Sequence, residues 1–164
     1  MYTEDITQYS RYLDRDMHMR IYGHDGMPLL AFPTQDSMCH NLEDFGMIDQ
    51  LRDFLEDGRI RLFVVDTVDS ESWSPKGGDK VWRAARQEQY YHYIVDEVVP
   101  LMRGRNPETP AVTGQGEHTP KQLRPAQEGD DLRAENDVFV NFRVSEVEVA
   151  VFEANLLAGV HRLC

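Results

Sequence analysis

Two pairs of neighbouring residues carry side chains of the kinds that perform nucleophilic or acid–base chemistry. Cys39 directly precedes His40, and a thiol beside an imidazole can act as a nucleophile with its base. Glu43 precedes Asp44, and paired carboxyl groups can exchange protons with a substrate. Adjacent residues rarely present their side chains to each other correctly for this, and positions i and i+1 of a helix point apart. We therefore expect Cys39 to be a buried thiol and the two acids to be helix-start charges.

A second group of candidates follows the most apolar run of the chain, residues 60–65. Asp66 comes directly after this run, and Asp69 and Trp73 lie in the polar segment beyond it. Residues at the carboxyl end of a buried strand are commonly placed at the site edge of an open sheet. The pattern therefore predicts cleft residues. The alternative is that the aspartates anchor the loop through hydrogen bonds to its backbone and that the tryptophan covers the sheet edge.

No metal or cofactor site is indicated by the spacing of the remaining residues. The six histidines show no H-x-x-x-H or other ligand spacing. Cys39 and Cys164, the only cysteines, form neither a zinc motif nor a disulfide framework. Gly77-Gly78 lacks the lysine and hydroxyl residue that complete a phosphate-binding loop. We expect no cofactor and no metal.

The composition excludes several classes of partner. The 164 residues suit one domain, and their formal net charge is −12. Such a charge repels nucleic acids and anionic membranes, and no apolar run approaches the roughly 20 residues that span a bilayer. The acidic amino terminus lacks the apolar segment of a signal peptide. We expect a cytoplasmic protein that binds neither nucleic acid nor membrane.

Hydrophobic periodicity predicts the elements that position the candidates. Strands and helices alternate along the chain, which is typical of an α/β fold with a mostly parallel sheet flanked by helices on both faces. Pro33 ends the second strand because proline cannot donate to a ladder, and Pro100 is expected to end or kink the second helix. The predicted elements are strand 17–22, strand 28–32, helix 41–56, strand 60–66, helix 81–102 and strand 110–113.

Several short motifs in the first two thirds of the chain resemble a bacterial esterase family of the α/β-hydrolase superfamily, near the esterase D and S-formylglutathione hydrolase group. The resemblance covers residues 10–114, and its most specific pieces are Asp-Phe-Gly-Met at 44–47 and Asp-Ser-Glu-Ser-Trp at 69–73. The other pieces are Phe32-Pro33-Thr34, Gly58-Arg59-Ile60, Gln89-Tyr90, Tyr93-Ile94-Val95, Glu97-Val98-Val99-Pro100 and Val112-Thr113-Gly114.

The resemblance implies hydrolysis of a small ester by a Ser-Asp-His triad. The nucleophile of that superfamily lies in a G-x-S-x-G turn directly after a strand, and a second oxyanion N–H comes from the loop after an earlier strand. In this sequence that loop is residues 34–38, so Gln35, Asp36 and Ser37 are the oxyanion-loop candidates.

Two departures from the family pattern bear on activity. Gln35 and Asp36 stand where relatives usually carry small, glycine-bearing residues, and an acidic side chain disfavours a developing oxyanion. Gly114 is followed by Gln115-Gly116 rather than by a serine, and the sequence contains no G-x-S-x-G. We therefore assign no catalytic residue. The alternative is an active hydrolase in which another residue, such as Ser37, serves as the nucleophile.

The chain divides at Gly114 into two predicted parts. Residues 1–114 are the N-terminal part of an α/β-hydrolase domain, and residues 115–164 are a divergent segment. The divergent segment begins with a polar loop, and alternating residues in 138–144 and 147–151 then predict a β-hairpin, followed by a short helix at 153–161. One hypothesis is a frameshift at the junction, which re-reading the nucleotide sequence in the other two frames tests.

The expected protein is a partial α/β-hydrolase with an atypical C-terminal segment and lost or impaired esterase activity. The alternative is a non-catalytic binding or interaction protein built on a truncated hydrolase sheet. A truncated sheet leaves an unpaired edge, which favours homo-oligomers. The expected partners are accordingly a small ester or a second copy of the chain.

Overall fold

The computed structural model describes residues 1–108, 110–114, 143–144 and 147–148. A five-stranded sheet with helices packed on it makes up most of the described part. The strands are β1 (Thr3–Ser10), β2 (Arg15–Tyr22), β3 (Met27–Phe32), β4 (Ile60–Val65), β5 (Ala111–Gly114), β6 (Arg143–Val144) and β7 (Val147–Glu148).

The five-stranded sheet has the order β1-β2-β4-β3-β5 and mixes two pairing types. β1 with β2 and β2 with β4 pair antiparallel, whereas β3 with β4 and β3 with β5 pair parallel. The expectation of a mostly parallel sheet is therefore too strong, because half of these pairings are antiparallel. The mixed α/β class holds, and the parallel half is the part that carries the candidate site.

One of the two antiparallel pairings involves β1, a strand that the sequence pattern does not predict. β1 forms a hairpin with β2 in the register from Thr3 opposite Tyr22 to Ser10 opposite Arg15. β1 lies at the sheet edge, and seven of its eight residues are exposed or half-buried. Its sequence therefore lacks the apolar run or the regular alternation by which buried strands are recognised.

The helical segment predicted for residues 41–56 is interrupted in the structure. It consists of three short helices, α1 (Asn41–Asp44), α2 (Met47–Gln50) and α3 (Arg52–Glu56). Gly46 separates the first two with a φ of 70°, a left-handed conformation that ends helical geometry. The apolar spacing is nevertheless used, because Leu42, Ile48 and Leu55 are buried in one cluster.

The second predicted helix runs past Pro100 instead of ending there. α4 (Lys80–Tyr93) continues through a π-helical segment, Ile94–Val98, into α5 (Val99–Arg105). Proline lacks an N–H and its ring crowds the carbonyl four residues earlier. Here Pro100 follows closely on the π-helical segment, whose wider turn departs from the regular hydrogen-bond pattern that proline interrupts.

Alternating residues of the central strands supply one hydrophobic core on each face of the sheet. On one face, Phe63 and Val65 of β4 share a cluster with Tyr90 of α4. On the other face, Leu62 and Val64 share a cluster with residues of α1–α3. Full burial of one such side chain contributes about 1.5–3 kcal/mol. These two cores hold β3 and β4 rigidly, so that the loops following them start from fixed positions.

The second predicted part of the chain is described at only four residues. β6 and β7 pair antiparallel, with Arg143 opposite Glu148 and Val144 opposite Val147. The predicted turn at 145–146, the rest of the hairpin and the helix at 153–161 lie outside the described residues, so the division at Gly114 stays a prediction. Among the helices of the described residues, none has the length and apolar character needed to cross a membrane.

A glycine between β2 and β3 provides a test of the packing between that turn and the start of β4. Gly26 has a φ of 94°, and a Cβ there would lie 2.3 Å from the carbonyl carbon of Arg59 and 2.5 Å from the amide nitrogen of Ile60. Gly26→Ala should lower the free energy of unfolding by about 2–3 kcal/mol or more, because it adds left-handed strain to a backbone clash. The measurement is urea denaturation followed by circular dichroism.

Gly104→Ala is the matched control, since nothing lies within 4 Å of a Cβ built at this position of α5. It should raise stability by about 0.5–1 kcal/mol through helix propensity. Equal stability of the two variants would contradict the close approach of Gly26 to the Arg59–Ile60 backbone.

Candidate active site

The two loops that carry the predicted site residues meet at the carboxyl edge of the parallel strands. β3 and β4 are parallel neighbours, so the segments after Phe32 and Val65 leave the sheet on the same side. Gln35 Nε2 donates a hydrogen bond to Ser74 Oγ at 2.7 Å, and Ser74 Oγ donates to Asp36 Oδ1 at 2.5 Å. The oxyanion-loop candidates therefore contact the cleft-candidate loop through a serine.

The loop after β3 is a tight turn whose hydroxyl groups bond to one another. The Ser37 N–H donates to the Thr34 carbonyl at 3.0 Å, and Asp36 between them has a left-handed φ of 60°. Thr34 Oγ1 donates to Asn41 Oδ1 at 2.9 Å and lies 2.9 Å from Ser37 Oγ. Because the single hydroxyl proton of Thr34 goes to Asn41, Ser37 must be the donor to Thr34. The Ser37 proton therefore points to a hydroxyl group and not to a base.

Asp66 serves as an anchor at the end of β4. Its side chain is buried, and its Oδ1 accepts the N–H of Cys39 at 2.8 Å. Its backbone carbonyl accepts the Tyr90 hydroxyl at 2.8 Å, and its backbone N–H donates to the His18 carbonyl at 3.1 Å. Asp66 thus joins the loop after β3, helix α4 and strand β2. The carboxylate anchors the loop after β3 and not the loop that follows Asp66 itself, and a role of Asp66 in ligand binding stays a prediction.

Cys39 is held in a form that does not favour nucleophilic chemistry. The residue is buried, and burial together with the nearby Asp66 carboxylate raises the pKa of its thiol to about 12. A thiol with such a pKa stays protonated at neutral pH, and only the thiolate is a strong nucleophile. His40, its neighbour in sequence, lies instead with Nε2 3.8 Å from Asp44 Oδ2.

The other two cleft candidates belong to a firmly held loop. Asp69 is buried in a 3₁₀ turn, Asp69–Glu71, and its carbonyl accepts the Ser74 N–H at 2.8 Å. Trp73 is half-buried, and its carbonyl accepts Arg83 Nη2 at 3.2 Å, while the Ser72 carbonyl accepts Arg83 Nε at 2.6 Å. The structure places both residues at the carboxyl edge of the sheet, and their roles in ligand binding stay predictions.

Three residues of this region were not identified from the sequence. Ser74 bridges the two loops, Asn41 receives the Thr34 hydroxyl, and Arg83 fastens the second loop to α4. The order of the predicted strands gave one indication of such contacts, because loops that follow adjacent parallel strands lie at the same edge of the sheet. In the residues that the structure describes, no group of three or more His, Cys, Asp or Glu side chains could hold a metal ion.

Neither a protein-family model nor a curated protein matches this sequence. Similar solved structures include esterases. A ferulic acid esterase from Anaeromyces mucronatus is 14% identical with a TM-score of 0.51, covering 69% of this chain and 48% of that one. A second ferulic acid esterase is 10% identical with a TM-score of 0.51, covering 69% and 49%. The S-formylglutathione hydrolase of Staphylococcus aureus is 10% identical with a TM-score of 0.47, and the match covers 70% of this chain and 48% of that one.

These likenesses show the fold alone. The described part of the chain has a mixed α/β fold similar to that of these ferulic acid esterases. The chain spans about half the length of the ferulic acid esterases that it matches.

The anchoring role of Asp66 can be measured directly. Asp66→Ala should lower the free energy of unfolding by about 1–3 kcal/mol, because it leaves the buried Cys39 N–H without its acceptor. Asp66→Asn retains an amide oxygen at the same position and should lose less. The Cys39 amide should exchange with deuterium faster in Asp66→Ala than in the parent protein. An alanine variant that retains both parental stability and parental exchange would contradict the assignment.

Proposed function

We propose that this chain retains an esterase-type scaffold whose ability to turn over esters is lost or strongly impaired. The observation that supports this most directly is the junction after β5. The strand ends at Gly114, and the next residues are Gln115-Gly116-Glu117-His118. A hydrolase of this architecture requires a serine in the turn after that strand. Without the serine there is no hydroxyl to attack the ester carbonyl.

The loop after β3 supports the same proposal through its charge. Oxyanion stabilisation requires N–H donors aimed at the developing negative charge, and the loss of one donor raises the barrier by about 3–4 kcal/mol. Here Asp36 brings a carboxylate into that loop, and Gln35 and Asp36 are both hydrogen-bonded to Ser74. A negative side chain at this position repels an oxyanion. The described loop after β3 therefore opposes the electrostatic arrangement that esterases use.

Ser37 does not replace the missing serine in this proposal. Its hydroxyl donates to Thr34, whose own hydroxyl donates to Asn41, so the chain of hydrogen bonds ends at an amide oxygen. An activated serine instead donates to a base within about 2.6–3.2 Å. A small ester remains the ligand class that the scaffold implies, as a bound molecule and not as a substrate.

The purified chain should not accelerate hydrolysis of p-nitrophenyl acetate above the rate given by an equal concentration of its urea-unfolded form. Ser37→Ala should leave that rate unchanged, because the Ser37 hydroxyl has no base to activate it. The measurement is release of p-nitrophenolate with substrate in excess. Turnover that persists through purification and disappears in Ser37→Ala would refute the proposal.

A second candidate function is non-catalytic association through the sheet edge. Among the described strands, β5 pairs with β3 on one side and ends the five-stranded order on the other. Unpaired strand edges offer N–H and C=O groups to another chain. The proposed partner is a second copy of this chain, which makes association a property of the protein alone.

Association predicts a molar mass that depends on concentration. Light scattering coupled to size-exclusion chromatography should give 19.0 kDa at low concentration and about twice that mass at high concentration. A constant 19.0 kDa for the parent protein at all concentrations would rule this candidate out.

A further inference from the structure

Two aspartates of the described residues are followed directly by glycine: Asp25 precedes Gly26, and Asp57 precedes Gly58. In such a pair the next backbone nitrogen can attack the side-chain carboxyl carbon, because glycine has no Cβ to hinder a close approach. Both aspartates are exposed, and the two turns are neighbours, since a Cβ built on Gly58 would lie 3.6 Å from Asp25 Cβ. The two pairs therefore share one solvent environment and differ in their backbone.

The backbone around the second pair opposes this attack. The Gly58 N–H donates to the Leu55 carbonyl at 3.4 Å, so the attacking nitrogen is already engaged in a hydrogen bond. Asp57 is the cap residue of α3, with a helical φ of −72° and ψ of −6°. Closure of a five-membered ring requires the Cα–Cβ bond of the aspartate to eclipse its C–N bond, which this ψ does not permit. Asp57 must therefore leave the end of the helix before it can react.

The first pair has neither restraint. Residues 24–26 form a bend between β2 and β3, outside any helix or strand. Within the described part of the chain, the Gly26 N–H has no hydrogen-bond partner. The nitrogen that would attack the Asp25 carboxyl group is therefore available without the loss of a hydrogen bond.

The residue that follows Asp25 nevertheless has a fixed position in the fold. The Gly26 carbonyl accepts a hydrogen bond from Asn106 Nδ2 at the end of α5, and the N–H of Met27 donates to the Arg59 carbonyl at 3.1 Å. A Cβ on Gly26 would lie 2.3 Å from the Arg59 carbonyl carbon, so the backbone has no space on that side. An extra main-chain atom directly before Gly26 would strain these contacts.

We propose that Asp25 is a site of spontaneous isomerisation to isoaspartate, and that this modification destabilises the turn between β2 and β3. The Gly26 nitrogen bonds to Asp25 Cγ, and the OH of the carboxyl group leaves as water with the amide proton. Water then adds to the main-chain carbonyl carbon of Asp25 in the resulting succinimide and breaks the bond from that carbon to nitrogen.

The product has the mass and charge of the parent protein. Its main chain runs through Asp25 Cβ and Cγ and is one atom longer, and the former main-chain carbonyl group is a free carboxylate. The reaction needs only water and does not depend on ester hydrolysis, so the site is independent of the proposed function.

Ageing of the full chain in neutral buffer tests the proposal. A methyltransferase that labels isoaspartyl carboxylates, followed by peptide mapping, locates the modified residue. Asp25 should accumulate label at least about fivefold faster than Asp57, because Asp57 must first lose a hydrogen bond. In urea, where neither turn is folded, the two rates should become equal.

Asp25→Glu is the matched control. It retains the charge, but a glutamate must close a six-membered ring, which forms far more slowly. The variant should accumulate no label at this position, and its urea denaturation midpoint should not change during ageing. The aged parent protein should contain a labelled fraction that unfolds at lower urea concentration than the unlabelled fraction.

Three results would overturn the proposal. Labelling of the folded protein at equal rates at Asp25 and Asp57, or faster at Asp57, would mean that the backbone differences between the two turns do not control the reaction. Absence of label at Asp25 after ageing that labels the urea-unfolded chain would mean that the folded turn prevents ring closure. A labelled fraction as stable as the unlabelled one would mean that the turn absorbs the extra atom without strain on Gly26.

Discussion

The buried carboxylate of Asp66 connects the parts of the described fold that meet at the carboxyl edge of the sheet. Its Oδ1 accepts the Cys39 N–H, and its backbone carbonyl and N–H bond to Tyr90 and His18. Burial raises the pKa of the Tyr90 phenol, so this hydroxyl remains a donor at any physiological pH. Asp66 is only 3% exposed, and a buried carboxylate needs hydrogen-bond donors, which the Cys39 N–H supplies to its Oδ1.

Hydrogen bonds join the loop after β3 to the loop after β4 at this edge. Arg83 binds the backbone of the loop after β4, and Ser74 joins that loop to Gln35 and Asp36. Esterase chemistry at such an edge needs free N–H donors and an activated hydroxyl. The described residues of this edge use their polar groups to hold two loops together. The fold is similar to that of the neighbouring esterases, and we propose that the described edge does not perform their chemistry.

The parts of the fold that follow from local pattern were predictable, and those set by distant contacts were not. The apolar runs of β3 and β4 identified both strands, because strands covered on both faces are apolar throughout. β1 could not be predicted because it is a polar edge strand whose position depends on pairing with β2. Gly46 interrupts a helix whose apolar spacing is regular, and its left-handed φ is not apparent from that spacing.

The candidate site likewise has features that the local sequence predicts and features that depend on distant contacts. Asp66 and the oxyanion-loop candidates were located from their positions after strands, and the structure does bring the two loops together. Ser74 and Arg83 could not be identified, because their partners lie 38 or 39 and 10 or 11 residues away in sequence and no motif marks such contacts.

The central claim is that no hydroxyl of this chain attacks an ester carbonyl. The most direct measurement is intact-protein mass spectrometry of the full chain after incubation with a fluorophosphonate, which phosphonylates activated serines irreversibly. A known serine esterase treated in parallel establishes that the reagent is active. The account predicts an unchanged mass for this chain, in both the folded and the urea-unfolded state. A stoichiometric adduct that forms only on the folded protein, and maps to a single serine, would contradict it.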